Sequence, residues 1–163
     1  MSQPLSLKAR AIALLAQREH SAVELRRKLL RLARERDAQS GTAADAGPAS
    51  DPVAEVELLL VWLQAQGYLN ESRFVESRVH ARASRHGNLR IRQELAQHGL
   101  ALDAAQAEAL KSSEFDRAKA IWQRKFGSPA EDAAGRARQM RFLAGRGFSA
   151  DVIRRLVRDP DGD

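Results

Sequence analysis

Four histidines are the first residues to question, because imidazole ligates metals and moves protons near neutral pH. They stand at His20, His80, His86 and His98. His80 and His86 are six residues apart, off any single helical ridge, and no H-E-x-x-H or comparable metal-binding spacing occurs. The chain has no cysteine, which removes disulfides, thiolate nucleophiles and Cys-based zinc sites. Gly145-Arg146-Gly147-Phe148 is too short to cradle a phosphate, and it closes a helix instead of opening one after a strand. Glu55 and Glu57 need no role beyond negative charge near a helix N-terminus. No catalytic constellation, metal site or cofactor site emerges, so the chain is expected not to be an enzyme.

What recurs is arginine. Lys and Arg total 27 against 21 Asp and Glu, for a net charge of +6, and the pI is about 10.4. That balance points to an acidic partner, either nucleic acid or a protein that holds it. The charge is also blocked. Residues 8–36 carry +6, residues 37–71 carry −6 without any Lys or Arg, and residues 117–158 carry +8. Arg78, Arg82 and Arg85 recur at i, i+4 and i+7 and are expected to share one side of a helix. Arg90 and Arg92 flank Ile91, which is expected to point inward. Arg141, Arg146, Arg154 and Arg155 crowd the last third, and Arg26, Arg27 and Lys28 form the first cluster. These twelve are the candidate binding residues. The planar guanidinium fork suits phosphate and carboxylate equally, so residue type alone leaves DNA and acidic protein both open. Phe74, Trp62 and Trp122 lie at helical spacing with other apolar residues and are expected to pack, not to stack on bases.

The elements that position these side chains are helical. Hydrophobic residues make up 44% of the chain but aromatics only 5%. Leu and Ala dominate the apolar set, which argues for an all-α protein. Helices are expected at about 5–19, 21–36, 52–66, 71–86, 89–98, 104–111, 114–126, 129–146 and 150–158. Ser21 with Glu24 forms a capping box, and Ser128-Pro129 with Glu131 reads as another. Asp51, Asn70, Asn88, Asp103, Ser113 and Ser149 are further candidate N-caps.

Three helix ends share one pattern: Leu63 with Gly67 and Tyr68, Leu95 with Gly99 and Leu100, Leu143 with Gly147 and Phe148. A glycine in the left-handed region ends a helix and lets the next residue fold back onto the leucine. Repetition of this unit divides the chain into three tandem three-helix modules, 5–69, 70–112 and 113–158, before an acidic tail at 159–163. Each is too small to be robust alone, so neighbours are expected to share surface. Residues 37–51 lack large apolar side chains and read as a flexible insert in the first module. No apolar run reaches the length of a membrane span and no leader is evident. No coiled-coil seam is visible, so a monomer is expected. From the residues alone, a helix-turn-helix DNA-binding regulator and a helical adaptor for an acidic protein both remain open.

Four stretches go further together than any one does alone: REHSAVELRRKLL, LQAQGYLNESRFVESRVHAR, GNLRIRQELAQHGL and FLAGRGFSADVIRRLV. In this order, over nearly the whole chain, they resemble the RecX family of RecA regulators. Asn70-Glu71, Val75, Asn88 and the long 37–51 stretch depart from the usual pattern. The absence of cysteine makes a reducing cytoplasm the expected setting, and the resemblance implies a non-enzymatic protein whose repeats form an elongated, curved array. It implies binding in the helical groove of the RecA–DNA filament, which reduces ATP hydrolysis, strand exchange and co-protease activity. DNA repair, recombination and SOS control would be the setting. It further implies weak, non-specific binding to single- or double-stranded DNA.

Overall fold

The structure is a computed structural model that describes residues 5–40 and 51–160. Among the described residues it contains eight α-helices and no strand: α1 Leu7–Gln17, α2 Ala22–Ser40, α3 Pro52–Ala65, α4 Glu71–Ala83, α5 Asn88–Gln97, α6 Ala104–Phe126, α7 Ala133–Gly145 and α8 Ala150–Arg158. The protein is all-α, as composition requires. The chain divides into two compact units, Met1–Phe74 and Val75–Asp163, so α4 contributes its first turn to one and the remainder to the other.

In the first unit, local polar chemistry starts each helix. The Ala9 amide donates to Ser6 Oγ at 3.2 Å, the Glu24 amide to Ser21 Oγ at 3.1 Å, and the Val53 amide to Asp51 Oδ1 at 3.0 Å. Pro52 occupies the first turn of α3, where its missing N–H costs nothing. Leu25, Leu29 and Ala33 of α2, at i, i+4 and i+8, meet Val56, Leu60 and Leu63 of α3 with Leu7, Ala11 and Leu69. Each fully buried leucine contributes about 1.5–3 kcal/mol of transfer free energy. The α3 terminus differs from the expectation in one respect. Gly67 has φ 73°, but the Leu69 amide, not that of Tyr68, reaches Leu63 O at 3.1 Å. Leu69 takes the buried place, and the Tyr68 ring stacks on Trp62 at 5.7 Å. Arg73 secures this turn by donating to the carbonyls of Gly67 and Tyr68 and to Glu19. Of the expected 37–51 insert, residues 37–40 belong to α2, which continues to Ser40; residues 41–50 lie outside the described residues.

In the second unit the count of helices changes. The expected pair 104–111 and 114–126 is a single 23-residue helix, α6. Ser113 caps nothing: its hydroxyl donates to Leu110 O at 3.3 Å, and Ser112 donates likewise to Ala109 O at 3.1 Å. With no Gly or Pro between 104 and 126, backbonded serines inside a run of good helix formers do not stop it. α6 starts with a capping box between Asp103 and Gln106 and ends at Gly127, φ 78°. α7 starts later than the Ser128-Pro129 pattern predicts, because Asp132 takes the capping role by accepting from the Gly135 amide at 2.7 Å. Gly87, not Asn88, is the N-cap of α5. The remaining glycine ends match the expectation: Leu100 N reaches Leu95 O at 3.0 Å and Phe148 N reaches Leu143 O at 3.3 Å. Phe148 drops into a core of Ala118, Ile121, Trp122, Leu143, Ile153 and Leu156.

Two turns of this unit meet backbone to backbone. The Gly87 amide donates to Arg146 O at 2.9 Å and the Leu89 amide to Gly147 O at 3.0 Å. A Cβ at Gly87 would lie 2.3 Å from Gly147 O, and one at Gly147 2.5 Å from the Arg90 Cβ. Here glycine is required by the closeness of two chains, whatever the backbone angle.

Candidate functional site

Beneath that contact lie a buried glutamate and a half-buried arginine. Glu114, 4% exposed, accepts from the amides of Asn88 at 3.0 Å and Ser149 at 3.2 Å and from the Ser149 hydroxyl at 2.9 Å. This explains why Ser149 precedes α8 without capping it through its side chain. Arg117, one turn on, donates to the carbonyls of Ala83, His86 and Leu110 at 2.8–3.1 Å and to the Asn88 side chain. Burial pulls the Arg117 guanidinium below its usual range while Glu114 opposes the shift. Both groups are structural: between them they hold the α4–α5 and α7–α8 turns, where Arg85 and Arg146 stand.

The cations fall into three settings. On α2, Arg26 forms a bidentate pair with Glu57 of α3 at 2.6 and 2.8 Å. Lys28 is held between Glu24, at 3.4 Å, and the His20 ring, at 3.1 Å. Arg27 is exposed and has no carboxylate partner among the described residues; it lines one face of α2 with Lys28, Arg31 and Arg34.

The second setting is a cleft of about 300 Å³ between α4 and α5, lined by Arg78, Arg82, Arg90, Gln93, Glu94, Gln97 and His98. Glu94 holds Arg82 at 2.9 Å and lies 3.8 Å from Arg90. Arg92 is exposed on α5 but does not line this cleft.

Arg85 belongs elsewhere. α4 ends at Ala83, not near 86 as the pattern predicts, and Arg117 donates to the Ala83 and His86 carbonyls there. The i, i+4, i+7 stripe is therefore broken. Arg85 lines a third cleft, of about 210 Å³, with Arg124, Lys125, Arg146, Ser84, Ile121 and Phe142. The sequence offered no reason to single out Arg124 or Lys125, since basic residues commonly close a helix by complementing its dipole. Of the other candidates, Arg141 is exposed on α7, Arg154 pairs with Asp151, and Arg155 lies over the Phe115 ring at 4.2 Å.

Among the described residues no group of three or more His, Asp or Glu is placed to hold a metal ion, and no helix is long and apolar enough to cross a membrane. Trp122 and Phe74 are buried, and Trp62 lies half-buried beneath the Lys8 ammonium at 3.5 Å.

These features define an all-α protein of helical domains with basic clefts. Residues 70–108 match the profile described as RecX, second three-helix domain, and residues 112–157 match RecX, third three-helix domain. The chain is 47% identical to the regulatory protein RecX of Ralstonia nicotianae over 98% of its length and 91% of that protein. It is 47% identical to the Leptothrix cholodnii protein of that name, covering 96% and 90%, and 42% to the Pseudomonas putida one, covering 100% and 96%. The crystal structure of RecX from Lactobacillus salivarius shares the fold, with a TM-score of 0.66 over 95% of this chain and 94% of that one, at 16% identity. The chain belongs to the RecX family of regulatory proteins.

Proposed function

We propose that this protein binds the filament that RecA forms on DNA and restrains it, lowering ATP hydrolysis, strand exchange and co-protease activity. It would thereby act in DNA repair, recombination and SOS control. The observation that carries this reading is kinship over the whole chain with proteins named regulatory protein RecX. The basic clefts support it, because a RecA–DNA filament presents phosphates and carboxylates together, and guanidinium forks bind both. In this reading the chain acts by binding, not by catalysis, as a cytoplasmic monomer. Its three repeats are 5–69, 70–112 and 113–158, and DNA is a weak, sequence-independent partner.

The test is RecA ATP hydrolysis on single-stranded DNA with this protein titrated well below the RecA concentration. Suppression at substoichiometric ratios supports action on the filament as an assembly. Suppression only when the protein coats the DNA points to a plain DNA binder, and no effect at any ratio removes RecA as the partner.

A further inference from the structure

We propose that the cleft of Arg85, Arg124, Lys125 and Arg146 seats the phosphodiester backbone of a nucleic-acid strand. Its four cations come from three segments: Arg85 from the α4–α5 turn, Arg124 and Lys125 from the last turn of α6, and Arg146 from the C-cap of α7. No carboxylate lines the cleft, and none of the four forms an ion pair among the described residues. That separates it from the part of the basic surface whose cations are paired. Arg26 is neutralised by Glu57, Arg82 and Arg90 share Glu94, and Arg154 has Asp151.

Like charges gathered without an intervening acid repel one another, and protein surfaces ordinarily intersperse the two signs. The fold nonetheless holds this set in place. The α6 C-terminus favours cations through its dipole. Arg146 lies 5.2 Å from the Phe142 ring centroid and donates to Arg85 O at 3.4 Å, so its guanidinium is oriented before any ligand arrives. Ser84 adds a hydroxyl donor at the rim.

The occupant must bring several negative charges into about 210 Å³. A nucleic-acid strand does so with any sequence, since it carries one charge per nucleotide, at about 3.4 Å of rise on each strand of a duplex. A protein ligand would need consecutive acidic side chains and a matched sequence. Phosphate oxygens also accept from guanidinium forks on several sides at once. Contacts of this kind position a strand without reading its bases. The inference deepens the reading above and rests on it for the presence of a strand near the protein.

The experiment titrates the full chain, without RecA, against a fluorescently labelled oligothymidylate over a salt series. The Arg124→Gln/Lys125→Gln double variant is compared with wild type and with Lys111→Gln, an exposed change elsewhere on α6. Arg124 and Lys125 are exposed, so helicity by circular dichroism should be unchanged; Arg85→Gln, also exposed, serves if it is not. Affinity should fall roughly tenfold at low salt for the double variant. The slope of log K against log salt should flatten by about 1.4, at about 0.7 per phosphate contact on single strands. Unchanged affinity and slope, or no wild-type binding even at low salt, overturn the proposal. So does a variant that keeps DNA binding and loses only suppression of RecA ATPase, because the cleft would then face protein. RecA is absent from the DNA titration, so failure of the regulatory reading leaves its result untouched.

Discussion

Glu114 and Arg117 stand one turn apart on α6 and between them hold two turns of chain, the acid taking amides from Asn88 and Ser149 and the base taking carbonyls from Ala83 and His86. Glu114→Ala leaves two amide donors and a hydroxyl without their acceptor and an arginine without its neighbouring charge. It should cost about 3 kcal/mol, since breaking a buried charged hydrogen-bond network is expensive. Glu114→Gln keeps one acceptor oxygen and should cost less. Arg26→Ala removes an ion pair whose partners are each 44% exposed and should cost under about 1 kcal/mol. Urea unfolding of the three variants tests the order; an Arg26 effect as large as that of Glu114→Ala refutes it.

Glycine replacements should separate backbone strain from collision. At Gly67 and Gly99, φ is 73° and 70° and a Cβ meets nothing within 4 Å, so Gly→Ala should cost only the left-handed strain, about 1 kcal/mol. At Gly147 the same strain is joined by a Cβ 2.7 Å from the Arg90 nitrogen. At Gly87 there is no φ penalty, but carbonyl and amide atoms lie 2.3 Å away. Both should cost about 2–4 kcal/mol, in the range of overpacked or strained sites. Thermal melts giving equal losses at all four positions would contradict this.

Stability should fall toward acid in two windows. Burial lowers His20 and His86 from their ordinary 6.5; Arg18, Glu24 and Lys28 face His20, and Arg82, Glu94, Arg146 and Arg90 face His86. Burial alone would raise Glu24. The hydrogen bond and charge of Arg18, with His20 and Lys28 nearby, outweigh it and take the carboxyl to about 2. Glu55 is lowered by its hydrogen bonds from Arg36. All four groups bind a proton less readily when folded, so the unfolded chain holds more protons and loses less on acidification. The urea midpoint should be flat above about pH 7 and decline below about 6.5 as the histidines charge. It should decline again below about 4.5, with the Glu24 part continuing to about pH 2. A midpoint that rises between pH 7 and 5.5 would sink the histidine assignment.

The helical class, the turns ended by Gly99 and Gly147 and the caps at Asp51, Asn70 and Asp103 were legible because they depend on residues close in sequence. What escaped depends on distant chain. Ser113 has the chemistry of a cap, yet nothing nearby breaks the helix, so α6 runs through it. The end of α4 is bound by Arg117, 34 residues beyond Ala83, a contact that no periodicity could announce. Past that end, Arg85 lies beside Arg124, Lys125 and Arg146 and not with Arg78 and Arg82. Charge density was visible in the sequence; which cations lack a carboxylate was not, because Glu57 and Glu94 reach their arginines from other helices.

The uninterrupted α6 has a mechanical meaning. The stretches that match the second and third RecX domains stop at 108 and resume at 112, both within this one helix. It is a beam common to two spans, continuous from Ala104 to Phe126 and held between its ends by Glu114 and Arg117. The border between these domains is therefore a line drawn through a rod and not a joint.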